Sequence, residues 1–167
     1  MYRPLILASV AALWIAPSSA WAQNAQRTTA TYGDWVIRCE VHDNAKTCEM
    51  AQFTQVSGQA QPVTQIIIGR QTKDSPLKMV FEVPVNISVP AGVKLIGEDD
   101  HADVTANFSN CIPAGCFAVT DIKDALIKKL RGLTTNGKLQ FKDAAERDVV
   151  FPVSFKGFGE AYDALTK

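Results

Sequence analysis

Histidine is scarce in this 167-residue chain: His42 and His101 are the only two, and each sits in a polar stretch that reads as a loop. Neither belongs to an H-E-x-x-H helix, and no G-x-S-x-G elbow or glycine-rich phosphate loop occurs. The common routes to a zinc peptidase, a serine hydrolase or a nucleotide-binding enzyme are therefore closed. Excess charge is also missing. Seventeen Lys and Arg balance 17 Asp and Glu, interspersed along the chain, so nothing argues electrostatically for nucleic acid as a partner. After the N-terminal leader no apolar run approaches the roughly 18 residues of a membrane-spanning helix, so no transmembrane segment is expected. Repeats and low-complexity linkers are absent as well.

What is present begins with that leader. Arg3 supplies a positive charge, Leu5 to Ala16 is apolar, Pro17-Ser18-Ser19 breaks the run, and Ala20-Trp21-Ala22 offers small residues for a signal peptidase. Residues 1–22 read as a signal peptide cleaved before Gln23, residues 23–32 as a loose N-terminal arm, and 33–167 as one domain. No cysteine sits immediately after the cleavage point, which leaves no site for lipid attachment there. Trp14 and Trp21 depart with the leader, so Trp35 is the one tryptophan kept.

All four cysteines lie beyond the leader, in two close pairs. Cys39 and Cys48 have eight residues between them, Cys111 and Cys116 four, so neither pair has the two-residue spacing of a thioredoxin-type redox motif. Each pair flanks a turn-prone stretch, which favours the local pairing Cys39–Cys48 and Cys111–Cys116 over the other two connectivities. Disulfides place the chain in an oxidising compartment outside the cytoplasm.

The remainder alternates. Leu77, Met79, Phe81 and Val83 share one face of a strand, as do Trp35, Ile37 and Cys39. Val63–Ile68 is more uniformly apolar and reads as a central strand. Further strands are expected at Cys48–Val56, Ile87–Val89, Val93–Ile96, Val104–Phe108, Cys116–Thr120, Leu139–Lys142 and Val149–Phe155. Seven to nine short strands separated by turn residues predict an all-β, immunoglobulin-like two-sheet antiparallel sandwich. One helix interrupts it, Ile122 to Arg131, with Thr120 or Asp121 as cap, Ile122, Ala125, Leu126, Lys129 and Leu130 on one face, and Gly132 as stop. A short C-terminal helix follows Gly159. Trp35 shares its face with Ile37 and Cys39, so it is expected in the core near a disulfide rather than as an exposed ligand platform.

Glu98-Asp99-Asp100-His101-Ala102-Asp103 concentrates carboxylates and an imidazole, which makes Asp99, Asp100, His101 and Asp103 weak metal candidates. The run lacks the glycine and spaced ligands of a calcium loop, so a solvated turn with no metal is the expectation. No catalytic residues and no cofactor are expected.

Several elements together resemble one family. Tyr32-Gly33-Asp34-Trp35-Val36-Ile37-Arg38-Cys39 and Cys48-Glu49-Met50 are followed by Pro90-Ala91-Gly92-Val93, by Cys111-Ile112-Pro113-Ala114-Gly115-Cys116, and by Phe155-Lys156-Gly157-Phe158. This series resembles the invasion-associated locus B proteins of bacteria over nearly the whole cleaved chain. The resemblance implies an immunoglobulin-like sandwich exported to the periplasm or surface of Gram-negative alphaproteobacteria, with members associated with host-cell entry. It carries over no catalytic residue. The function expected is therefore binding of a protein or another host or envelope macromolecule by a non-enzymatic protein. That protein would be periplasmic, outer-membrane-associated or secreted; the alternative is a small periplasmic ligand- or metal-binding domain.

Overall fold

The computed structural model describes residues 27–42, 45–72, 74–97 and 102–167. The leader, and Asp99, Asp100 and His101 of the acidic run, lie outside the described residues.

The immunoglobulin-like two-sheet antiparallel architecture is present and divided unevenly. The larger sheet opens as a meander of β1 (Arg27–Tyr32), β2 (Trp35–His42), β3 (Ala45–Thr54), β4 (Thr64–Gly69) and β5 (Lys78–Val83). It continues through β9 (Gly115–Asp121) to β8 (Phe108–Ile112) at the far edge. The smaller sheet has the order β11 (Asp148–Val153), β10 (Gly137–Lys142), β6 (Val93–Ile96) and β7 (Ala102–Ala106). At its two edges β11 lies against β3 and β7 against β9, closing the sandwich. Helix α1 (Asp124–Arg131) leads from β9 to β10, and α2 (Phe158–Leu165) packs on β2, β3 and α1.

Alternation on the strands builds the core. Trp35, Met50, Ile68, Met79, Phe81, Leu95 and Leu139 all point between the sheets and are essentially unexposed. The β4 pattern follows directly, with Thr64, Ile66 and Ile68 buried and the residues between them partly exposed.

Trp35 anchors the end of the sandwich nearest α2. Its ring meets Phe158 edge-on at 5.1 Å, and its indole N–H donates to the Ser154 carbonyl at 3.0 Å. The Gln52 side-chain amide donates to the same carbonyl at 2.6 Å and accepts from the Ser154 N–H at 2.9 Å, while the Ser154 hydroxyl donates to Asp34 at 2.6 Å. Two glycines bring these parts together. Gly33 and Gly157 both adopt positive φ, and a Cβ on either would collide with the other's loop, at the Lys156 or the Tyr32 carbonyl. Gly33-Asp34-Trp35 and Lys156-Gly157-Phe158 thus form one packed unit.

Several expectations are corrected. Arg27–Tyr32, expected in a loose arm, forms β1 and pairs with β2 along its whole length. His42, expected in a loop, has its backbone in β2 opposite Ala45. Ile87–Val89 is not a strand: Ile87 makes a single bridge to Asp143, and a short 3-10 turn follows over Val89–Ala91. Pro90 in that turn has no N–H to give a ladder. The expected strand Val104–Phe108 is divided between two sheets, because the chain leaves the smaller sheet after Ala106 and joins the larger one at Phe108. The first helix starts later than expected, with Lys123 rather than Thr120 or Asp121 at its cap position and no side-chain cap bond. Asp121 instead ends β9 and accepts from Lys78 at 2.9 Å. Ile127 and Leu130 are the buried residues of α1.

Candidate functional site: the outer face of the larger sheet

The register of the larger sheet aligns its outward side chains into rows that run across the strands. Val36 pairs with Ala51, Ala51 with Ile67, Ile67 with Val80, and Val80 with Val119. These five apolar residues form a continuous line over β2, β3, β4, β5 and β9, facing away from the core. Four inter-strand steps make it roughly 19 Å long. Only Ala51 is fully buried; Val119 is 38% exposed and the others are half-buried.

A charged row runs beside it: Arg38 opposite Glu49, Glu49 opposite Gly69, Gly69 opposite Lys78, and Lys78 opposite Asp121. Its two pairs are closed ionically, Arg38 to Glu49 at 2.5 Å and Lys78 to Asp121 at 2.9 Å. The glycine between them leaves a gap. A cavity of about 440 Å³ opens there, lined by Arg38, Glu49, Arg70 and Lys78 and by the apolar Ile67, Val80 and Val119. A Cβ on Gly69 would lie 3.0 Å from that of Glu49, so a larger residue would both fill and crowd the opening. This volume falls within the range of small-molecule sites.

Charge around the cavity is nearly spent. Arg38 is held by Glu49 and rests on the Phe53 ring, 5.1 Å from its centroid, with its Nε buried and lacking a hydrogen-bond partner. Glu40 is paired to Arg27 at 2.8 Å. Arg70 differs: its guanidinium donates to the Ser75 carbonyl at 2.8 Å and meets no carboxylate among the described residues. On the far side of the apolar row, Phe53, Gln65, Glu82 and Phe117 form a third row. Burial raises the pKa of Glu82 above the ordinary carboxylate value, with nearby Arg38 opposing the shift.

Of the described residues singled out from the sequence, Cys48 borders this cavity and the others lie elsewhere. Cys39 and Cys48 sit directly opposite each other on β2 and β3, and Cys111 and Cys116 on β8 and β9, each pair joined as a disulfide. Trp35 is in the core, 1% exposed, with Phe158 as its ring partner. Asp103 of the acidic run stands in β7, and its buried carboxylate is ion-paired through Oδ1 to Lys129 of α1. Among the described residues no three His, Cys, Asp or Glu side chains gather at metal-binding range.

Sequence reading overlooked the apolar row because its members come from five strands and no two are neighbours in the chain. One signal for it existed. Ile66-Ile67-Ile68 is apolar on both faces, and with Ile66 and Ile68 committed to the core, Ile67 must cover something else or remain on the outer face.

Comparison with known proteins gives a consistent result. The family model described as "Invasion associated locus B (IalB) protein" matches residues 35–166. An invasion protein B homologue of Brucella abortus (strain 2308) is 29% identical over 140 residues, covering 82% of this chain and 80% of the relative. Invasion protein B of Bartonella bacilliformis is 30% identical over 154 residues, 90% of this chain and 81% of that protein. The crystal structure of invasion associated protein b from Bartonella henselae superposes with a TM-score of 0.70 at 26% identity, covering 83% of this chain and 94% of the other.

Proposed function

We propose, from the premise that this chain belongs to the invasion associated locus B family, that it works outside the cytoplasm by binding a host or envelope macromolecule and not by catalysis. The leader at residues 1–22 and the two disulfides support export to the periplasm or beyond. No helix among the described residues is long and apolar enough to cross a membrane.

The observation that carries the reading is the apolar row Val36–Ala51–Ile67–Val80–Val119 on the outside of the larger sheet. Inside a sandwich such a row is ordinary. On an outer face flanked by charged side chains it has the make-up of a contact surface, apolar at its centre and polar at its rim.

Purification of the tagged full chain from the periplasm of an alphaproteobacterial host, beside a Val80→Asp variant, tests this. The expected result is a chain beginning at Gln23 that retains a macromolecular partner in stoichiometric amount, with the partner lost from Val80→Asp. Equal retention by both, or recovery of an intact Met1 chain from the cytoplasm, would overturn the reading.

A further inference from the structure

We propose that the cavity at Gly69, with the apolar row leading from it, is a binding site for a single-chain amphiphile bearing one carboxylate, a fatty acid of about twelve carbons in chemical class. Arg70 takes the carboxylate, and Ile67, Val80 and Val119 take the chain. The inference rests on the reading of the outer face as a contact surface and specifies a ligand for it.

Charge complementarity selects the head group. Of the three cations lining the cavity, Arg38 and Lys78 are neutralised by cross-strand carboxylates, and Glu40 is neutralised by Arg27. Among the described residues that leaves Arg70 as the cavity's uncompensated charge, with one hydrogen bond, to the Ser75 carbonyl, and its other donors turned to no described carboxylate. A planar guanidinium in this state favours one carboxylate. A dianionic head group would find no second unpaired cation for its second charge, with Glu49 and Glu40 nearby, and a cationic one would be repelled by Arg70.

Shape selects the tail. The cavity is bounded by a charged row on one side and leads on to the apolar line, one side chain wide, across β4, β5 and β9. One extended methylene chain can lie along such a line; a bilayer cannot, because the ion pairs Arg38–Glu49 and Lys78–Asp121 stand beside it. A free amphiphile is therefore the ligand, and not the acyl surface of a membrane.

The test is amide NMR of the protein recovered from the periplasm, titrated with sodium laurate, with butyrate, and with vesicles of phosphatidylglycerol, on wild type, Arg70→Gln and Val80→Asp. Laurate is expected to bind saturably and to shift the amides of Ile67, Gly69, Val80 and Val119. Butyrate should bind at least tenfold more weakly for want of a chain. Arg70→Gln, on the surface and outside the core, should weaken laurate by about tenfold with the spectrum otherwise unchanged. No laurate shifts, shifts spread equally over the smaller sheet, undiminished binding by Arg70→Gln, or signal loss with vesicles alone would each overturn the proposal. If laurate fails while Val80→Asp still loses its macromolecular partner, only the amphiphile is refuted. If Val80→Asp keeps that partner too, the contact-surface reading falls with it.

Discussion

The two faces of the larger sheet share the same strands and differ in almost everything else. The inner face is closed: Trp35, Met50, Ile68, Met79 and Phe81 meet the smaller sheet and α2, and the polar groups among them, such as Gln52 and the Trp35 indole, are hydrogen-bonded to Ser154. The outer face carries an apolar row of similar length that, Ala51 apart, stays partly exposed among the described residues, beside ion pairs and an opening at Gly69. One face is satisfied by the fold itself; the other has apolar surface and one cation still available. The difference separates residues whose loss should unfold the protein from residues whose loss should only disarm it.

The largest effect is expected on the inner face. Trp35→Ala removes a fully buried ring together with its bond to Ser154 and should cost about 3–5 kcal/mol in denaturant unfolding. A loss below about 1 kcal/mol would blur the contrast between faces. The disulfides come next. Replacing both Cys39 and Cys48 by Ala should cost about 2–3 kcal/mol by the loop-entropy model, and the Cys111–Cys116 pair slightly less because its loop is shorter. On the outer face Val80→Asp should cost no more than about 1 kcal/mol, the span of strand preferences at a half-exposed site, while abolishing partner retention. A cost equal to that of Trp35→Ala would place Val80 in the structural core.

The smallest effect distinguishes the outer face by pH. Burial makes ionised Glu82 less favourable in the folded chain than in the unfolded one, so its raised pKa lowers stability as pH rises from the unfolded carboxylate value through the folded one. In Glu82→Gln that decline should vanish, so melts at about pH 4 and about pH 7 should show the variant gaining on wild type at the higher pH. Asp163 has the opposite sign. Its bond to Arg131 lowers its pKa, so its contribution is present near neutrality and fades as pH falls through the lowered value.

The inner face was legible in the sequence and the outer face was not, for a physical reason. Core strands announce themselves by alternation within one segment, as Leu77, Met79, Phe81 and Val83 do. The paired motifs around Gly33 and Gly157 were visible as a family resemblance, and their close approach explains why both are glycine. A row across strands depends on register, which sets the neighbours of Ile67 and is written nowhere locally. β1 was missed because Arg27-Thr28-Thr29-Ala30-Thr31-Tyr32 is almost wholly exposed and lacks an apolar face. The division of β7 from β8 was missed because the chain changes sheets at Asn107 without a proline or glycine to mark it.

Site-specific photo-cross-linking compares the two outer surfaces most directly. A photoreactive residue is placed at position 80, on the apolar row, or at position 150, where Val150 is exposed on the smaller sheet, in the full chain inside living cells. A discrete adduct from position 80 and none from position 150 is expected; equal yields from both, or no adduct from position 80 in a chain that melts like wild type, would contradict the assignment of contact to the outer face of the larger sheet.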